Sequence, residues 1–163
     1  MARLGMLYAV NDDEVSLLKS QNADDMYDFM IEFIEKKYFS TSRACELDKA
    51  WEGIHFCFHN GVWVEDDSVQ SKVIFSGAYL LDHNDHVITL KDTDDVNKIV
   101  AYLGEVKIED VITNWFHNID PTEYTLPIDD DGREYLLGWS EEITSFYLNA
   151  QESNLNVIFT VDL

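Results

Sequence analysis

Apolar residues along this chain form continuous runs near both ends and helical stripes between them. Gly5 to Val10 is apolar throughout and predicts a buried strand, closed by the polar cluster Asn11-Asp12-Asp13, which can cap a short helix running to Ser20. Leu155 to Val161 predicts a second strand, apolar on both faces and therefore central in a sheet. Between them, Met26, Phe29, Met30, Phe33 and Ile34 recur as one stripe of a helix from Asp24 to Lys37. Aspartates in its first turn and lysines in its last suit the helix dipole.

Further helices are predicted from Asp48 to Phe58, stopped at Asn60-Gly61, and from Ser71 to Phe75, ended by Gly77. Val87 to Leu90 alternates like a strand and leads into Asp92-Thr93-Asp94-Asp95, rich in N-cap residues. Val96, Ile99, Val100 and Leu103 mark a helix closed by Gly104; Ile108, Val111, Ile112, Trp115 and Ile119 mark another, stopped by Pro121. Asp120 to Asp131 holds both prolines and reads as irregular. A last helix spans Gly132 to Ser153, with Leu136, Trp139, Ile143, Phe146, Tyr147 and Ala150 on one face and an unfavourable Gly138 inside. The expected fold is α+β: a helix-rich single domain over residues 1–163, with a small mixed sheet pairing the N- and C-terminal strands.

Composition changes the picture in one respect, the choice of partner. With 46% hydrophobic and 13% aromatic residues the chain is built to fold, unlike a solvating acidic tail. Yet 32 Asp and Glu face only 11 Lys and Arg, a formal charge of −21. Such a chain repels nucleic-acid phosphates and anionic membranes, and it attracts a basic protein at long range. No apolar run approaches the ~18 residues of a membrane span, and the N-terminal apolar run is too soon interrupted by Asn11 to Glu14 to serve as a signal peptide. The expected compartment is the cytoplasm, with Cys45 and Cys57 as free thiols.

Candidate chemistry centres on Leu47 to His59. At about 100° per residue, Leu47, Trp51, Ile54 and Phe58 form a core stripe, while Asp48, Glu52, His55 and His59 share the neighbouring edge. Two carboxylates and two imidazoles on one edge have the ingredients of proton transfer or ligand binding. The plainer reading is a structural edge, with His55 bonded to a carboxylate or a backbone carbonyl beside Trp51. His55 and His59 have the i, i+4 spacing of a zincin pair, but Phe56 stands where the general-base Glu belongs.

Two acidic turns fail the calcium-loop pattern. Asp82-His83-Asn84-Asp85-His86 is followed by Val87 at the glycine position and Thr93 at the bidentate position. Asp129-Asp130-Asp131-Gly132 has Arg133 as its fifth residue, and is expected to cap the last helix through Asp130 or Asp131. No phosphate loop, nucleophile elbow or paired CxxC occurs, and Cys57, between Phe56 and Phe58, reads as an inert thiol. No metal or cofactor is expected.

The block Leu47-Asp48-Lys49-Ala50-Trp51-Glu52-Gly53-Ile54-His55-Phe56, after Gly5-Met6 with its strand and acid-led helix, resembles the YfbM-like family, domain of unknown function 1877. The similarity runs on through Phe75-Ser76-Gly77 to Phe146-Tyr147 and the closing strand Asn156 to Val161. The chain departs from the family at Tyr124-Thr125-Leu126-Pro127, where a Tyr-Pro turn before a Trp is usual, and at Cys57, which replaces a Leu. The resemblance implies a compact bacterial α+β domain and highlights Asp48, Lys49, Trp51 and His55 without giving them a role.

Two functions follow from these features. The first is a non-catalytic acidic binding protein, of the kind that shields a cell from a basic protein or toxin. Its expected contact residues are Asp92, Asp94, Asp95, Asp129, Asp130 and Asp131. The second is an enzyme or small-ligand binder built on Asp48, Glu52, His55 and His59, which requires His55 exposed in a concave site.

Overall fold

The computed structural model describes residues 4–163. Its strands are β1 (Gly5–Val10), β2 (Ala44–Asp48), β3 (Ala78–His83), β4 (His86–Lys91) and β5 (Asn156–Asp162). They form one sheet in the order β2-β1-β5-β4-β3. The two terminal strands pair directly, from Met6 opposite Thr160 to Val10 opposite Asn156. The α+β class and the paired termini are therefore as expected, but all four pairings are antiparallel, where a mixed sheet was anticipated. The reason is connectivity: the β3–β4 hairpin turns tightly at Asn84 and Asp85, both in the left-handed region, and among the described residues no strand returns by a parallel crossover.

Helices cover both faces, which is why β1 and β5 are apolar on both. Met6, Tyr8, Val10, Ile88, Leu90 and Ile158 point to a smaller core under α1 (Asp12–Lys19), α2 (Ala23–Phe29) and α3 (Lys36–Tyr38). Leu7, Ala9, Val87, Val157, Phe159 and Val161 point to a larger core. That core is closed by α4 (Ala50–Phe58), α5 (Val69–Lys72), α6 (Thr93–Glu105), α7 (Ile108–Trp115), α8 (Asp130–Ser140) and α9 (Ile143–Glu152).

Helices α2 and α3 are joined by a π-helical stretch, Met30–Glu35, and the sequence explains it. The buried residues Met26, Met30, Ile34 and Tyr38 recur every fourth position. On an α-helix a four-residue step drifts by about 40°, so a wider turn is needed to keep the stripe on the sheet. Phe33, expected in that stripe, instead lies exposed and stacks on Phe29 with ring centroids 5.0 Å apart.

Other boundaries moved as well. Cys45 and Leu47 point inward and Glu46 outward, so the segment before α4 is a strand, and Asp48 is its last residue. The short helix expected at Ser71 to Phe75 is α5, four residues long and beginning at Val69. The expected long final helix is two, α8 and α9, separated at Glu141 and Glu142, with Leu136 and Ile143 both fully buried across the break. Asp129, and neither Asp130 nor Asp131, caps α8, accepting the Gly132 amide at 2.8 Å.

Candidate functional site

The Asp48–Phe56 block earns its residue types by packing. Asp48 adopts φ 47° as the chain turns from β2 into α4, and its Oδ1 accepts the Lys49 amide at 2.8 Å. Aspartate tolerates that left-handed geometry because its short side chain bonds the adjacent backbone. Trp51 packs against Gly5 of β1: a Cβ on Gly5 would sit 2.6 Å from its indole, so only glycine fits there. Gly53 similarly lets Tyr124 and Leu136 touch the α4 backbone, since a Cβ there would be 2.6 Å from the Tyr124 hydroxyl.

The four expected site residues do not share one open edge. His55 is completely buried, its Nε2 lying 2.7 Å from the Val64 carbonyl oxygen, which makes Nε2–H the donor. Burial pushes its pKa down to about 4, so the ring is neutral at physiological pH. His59, half-buried, has its pKa lowered chiefly by desolvation and holds the Ser71 hydroxyl at 2.8 Å. Glu52 turns the other way and accepts a hydrogen bond from Thr125 Oγ1 at 2.7 Å. Asp48 stays on the strand end. The exposed imidazole that the catalytic reading requires is missing, because α4 meets the core on its His55 side as well as its Trp51 side.

Ser71 and His59 have the separation of a nucleophile and its base, yet they form a structural clip. Ser71 is fully buried, and its Oγ also contacts the Val64 carbonyl at 3.2 Å and the Asp66 amide at 3.4 Å. Together with His55 it fastens the irregular segment 62–67 to α4. Asp66 has its pKa lowered to about 2 by hydrogen bonds from Ser68 and Ser71, so it remains ionised.

That fastening builds a cavity of about 620 Å³ beside α4. Trp51, Phe56, Trp63 and Phe75 wall it. Glu52, Glu65 and Glu123 stand at its rim with Val62 and Leu163, and among its described lining residues none is basic or nucleophilic. Trp63 is held from behind by His55, Phe56 and Phe75, at centroid distances of 4.5, 5.2 and 5.2 Å. Its Nε1–H donates to Glu65 Oε1 at 2.7 Å, and Glu65 Oε2 accepts from the Tyr79 hydroxyl at 2.9 Å. Burial and the Glu65 charge push the Tyr79 pKa up to about 12, which keeps it a donor. The indole and its neighbouring carboxylate are thus fixed in place before any ligand arrives.

The expected contact aspartates occupy two separate caps. Asp92 and Asp95 form a reciprocal capping box on α6, and Asp95 also meets Lys72 Nζ at 2.9 Å. Lys72 in turn holds Asp67 at 2.7 Å, linking the α6 terminus to the loop that carries Glu65. Asp94 is exposed, as are Asp130 and Asp131, while Asp129 is exposed but committed to its cap. Trp63, Glu65, Tyr79 and Glu123 did not stand out in the sequence. Trp63 and Glu65 follow Asn60-Gly61, Tyr79 follows Gly77 and Glu123 follows Pro121, and tertiary packing brings them together.

Among the described residues no helix is long and apolar enough to cross a membrane, and no group of three or more His, Cys, Asp or Glu is placed to hold a metal ion. No curated protein matches the sequence. The solved structure of YfbM from Escherichia coli, a protein of unknown function, superposes with a TM-score of 0.66 at 13% identity. The match covers 97% of this chain and 99% of that one, a likeness of fold. The model of one protein family matches residues 1–160, nearly the full length, and the chain accordingly belongs to the family described as Domain of unknown function (DUF1877).

Proposed function

We propose that this protein is a non-catalytic cytoplasmic capture protein that binds a basic protein, with the face between segments 62–67 and 120–125 as its docking surface. The observation that carries the reading is the aromatic-walled cavity rimmed by Glu52, Glu65 and Glu123 in a chain of net charge −21. Carboxylates around a rigid, partly apolar hollow suit a cationic surface with an apolar stem, and the surrounding field speeds its approach. Asp67, joined to Asp95 through Lys72, links the loop that carries Glu65 to the acidic start of α6. An inhibitor of a basic enzyme or toxin is the class of protein that gains most from fast charge-steered capture.

The test is recovery of the partner from the source cell on the tagged protein. A basic protein retained by the wild type and lost by the combined Glu65→Gln, Glu123→Gln variant supports the reading. Retention of an acidic partner, or equal retention by both forms, counts against it.

A further inference from the structure

We infer that the cavity beside Trp63 is a receptor for an arginine side chain, presented by the basic partner; this rests on the capture reading and adds the chemistry of recognition. Trp63 is half-buried, with the rings of Trp51, His55, Phe56 and Phe75 packed around it. Its Nε1–H is already matched to Glu65, so what the ring has left to offer a ligand is the part of its π surface that those four rings leave accessible. A planar, weakly hydrated guanidinium stacks on an indole face and bonds carboxylates through several N–H groups at once. An ammonium is more strongly hydrated and pairs with one point at a time.

The rim supplies the matching charge from two directions: Glu65 on the loop after α4 and Glu123 after Pro121. Glu65 is held by Trp63 and Tyr79, so this acceptor loses little freedom on binding. The apolar edge of Val62, 59% exposed, is placed to cover a methylene stem. A volume of about 620 Å³ exceeds one side chain and leaves room for the residues flanking the arginine.

The probe is N-acetyl-arginine amide, followed through the indole N–H signals of the intact protein, with Trp63 assigned from the Trp63→Phe spectrum. N-acetyl-citrulline amide and N-acetyl-lysine amide are the comparators. A saturable shift confined to Trp63, at least fivefold tighter for arginine than for either comparator, supports the receptor. Glu123→Gln, which alters an exposed rim residue, is expected to weaken it about threefold. No saturable shift, or equal responses to citrulline or lysine, overturns it. A basic protein captured equally by wild type and Trp63→Ala overturns the receptor and leaves the capture reading standing. Arginine binding in a protein that retains no basic partner does the reverse.

Discussion

His55 Nε2 donates to the carbonyl oxygen of Val64 across 2.7 Å, tying the middle of α4 to the loop that carries Trp63 and Glu65. The histidine highlighted by its position on a polar edge is therefore a buried fastener. It shapes the cavity wall and does not line the cavity.

His55→Ala is expected to cost about 2–4 kcal/mol, since it removes a fully buried ring and orphans a carbonyl. The pH dependence has a definite sign. The folded pKa is about 4 against an ordinary 6.5, so the folded state refuses a proton that the unfolded state accepts. The stability lent by neutral His55 is present above pH 6.5 and is lost as pH falls toward 4. Denaturant melts of wild type and His55→Ala should converge on acidification; parallel curves would show that His55 does not carry this dependence.

Trp51→Ala should be the more damaging change, at about 3–5 kcal/mol. The indole is 2% exposed and contacts Phe75 and Phe159 at centroid distances of 5.8 and 5.5 Å. Gly5→Ala attacks the same contact from the other side, because the new methyl has to displace the indole. Urea titration of both variants measures this, and a Gly5→Ala protein as stable as wild type would disprove the stacking.

Lys91 is fully buried, with Nζ 2.6 Å from the Ile74 carbonyl and 3.0 Å from Thr89 Oγ1. Burial holds the pKa well below the ordinary 10.5, so in the interval between them only the unfolded state carries the proton. Stability through this group therefore rises with pH up to about 10.5. Lys91→Met should abolish that slope, at the cost of orphaning the buried Ile74 carbonyl. An unchanged pH slope in Lys91→Met would show that Lys91 does not carry this dependence.

Added salt should stabilise the fold. Thirty-two acidic side chains repel one another in the compact state, and at 0.15 M ionic strength the Debye length falls to about 8 Å. Thermal midpoints are expected to rise by a few degrees between low-salt buffer and several hundred millimolar sodium chloride. A flat or falling midpoint contradicts this.

How far the fold could be read ahead depended on burial. Strands β1 and β5 were legible because both faces are covered, leaving uninterrupted apolar runs. Strand β3 is an edge with mostly exposed residues, and β2 shows only Cys45 and Leu47 inward, so neither carries a strand period strong enough to see. The break between α8 and α9 hid inside one continuous stripe from Leu136 to Ala150. At the site, the sequence placed Trp51 and His55 together correctly on α4. It was silent on segment 62–67, whose position is set by the His55 and Ser71 hydrogen bonds to Val64 and by ring contacts, none of which has a local pattern.

The central claim, charge-steered capture at the cavity face, is tested most directly by the association rate of the co-purified basic partner, measured by stopped-flow tryptophan fluorescence across a salt series. The account predicts a rate that falls at least about tenfold from low to high salt. It also predicts that Glu65→Gln with Glu123→Gln slows association more than neutralising Asp129, Asp130 and Asp131 does. A rate indifferent to salt, or one governed by the Asp129–Asp131 cluster and untouched by the rim, would contradict it.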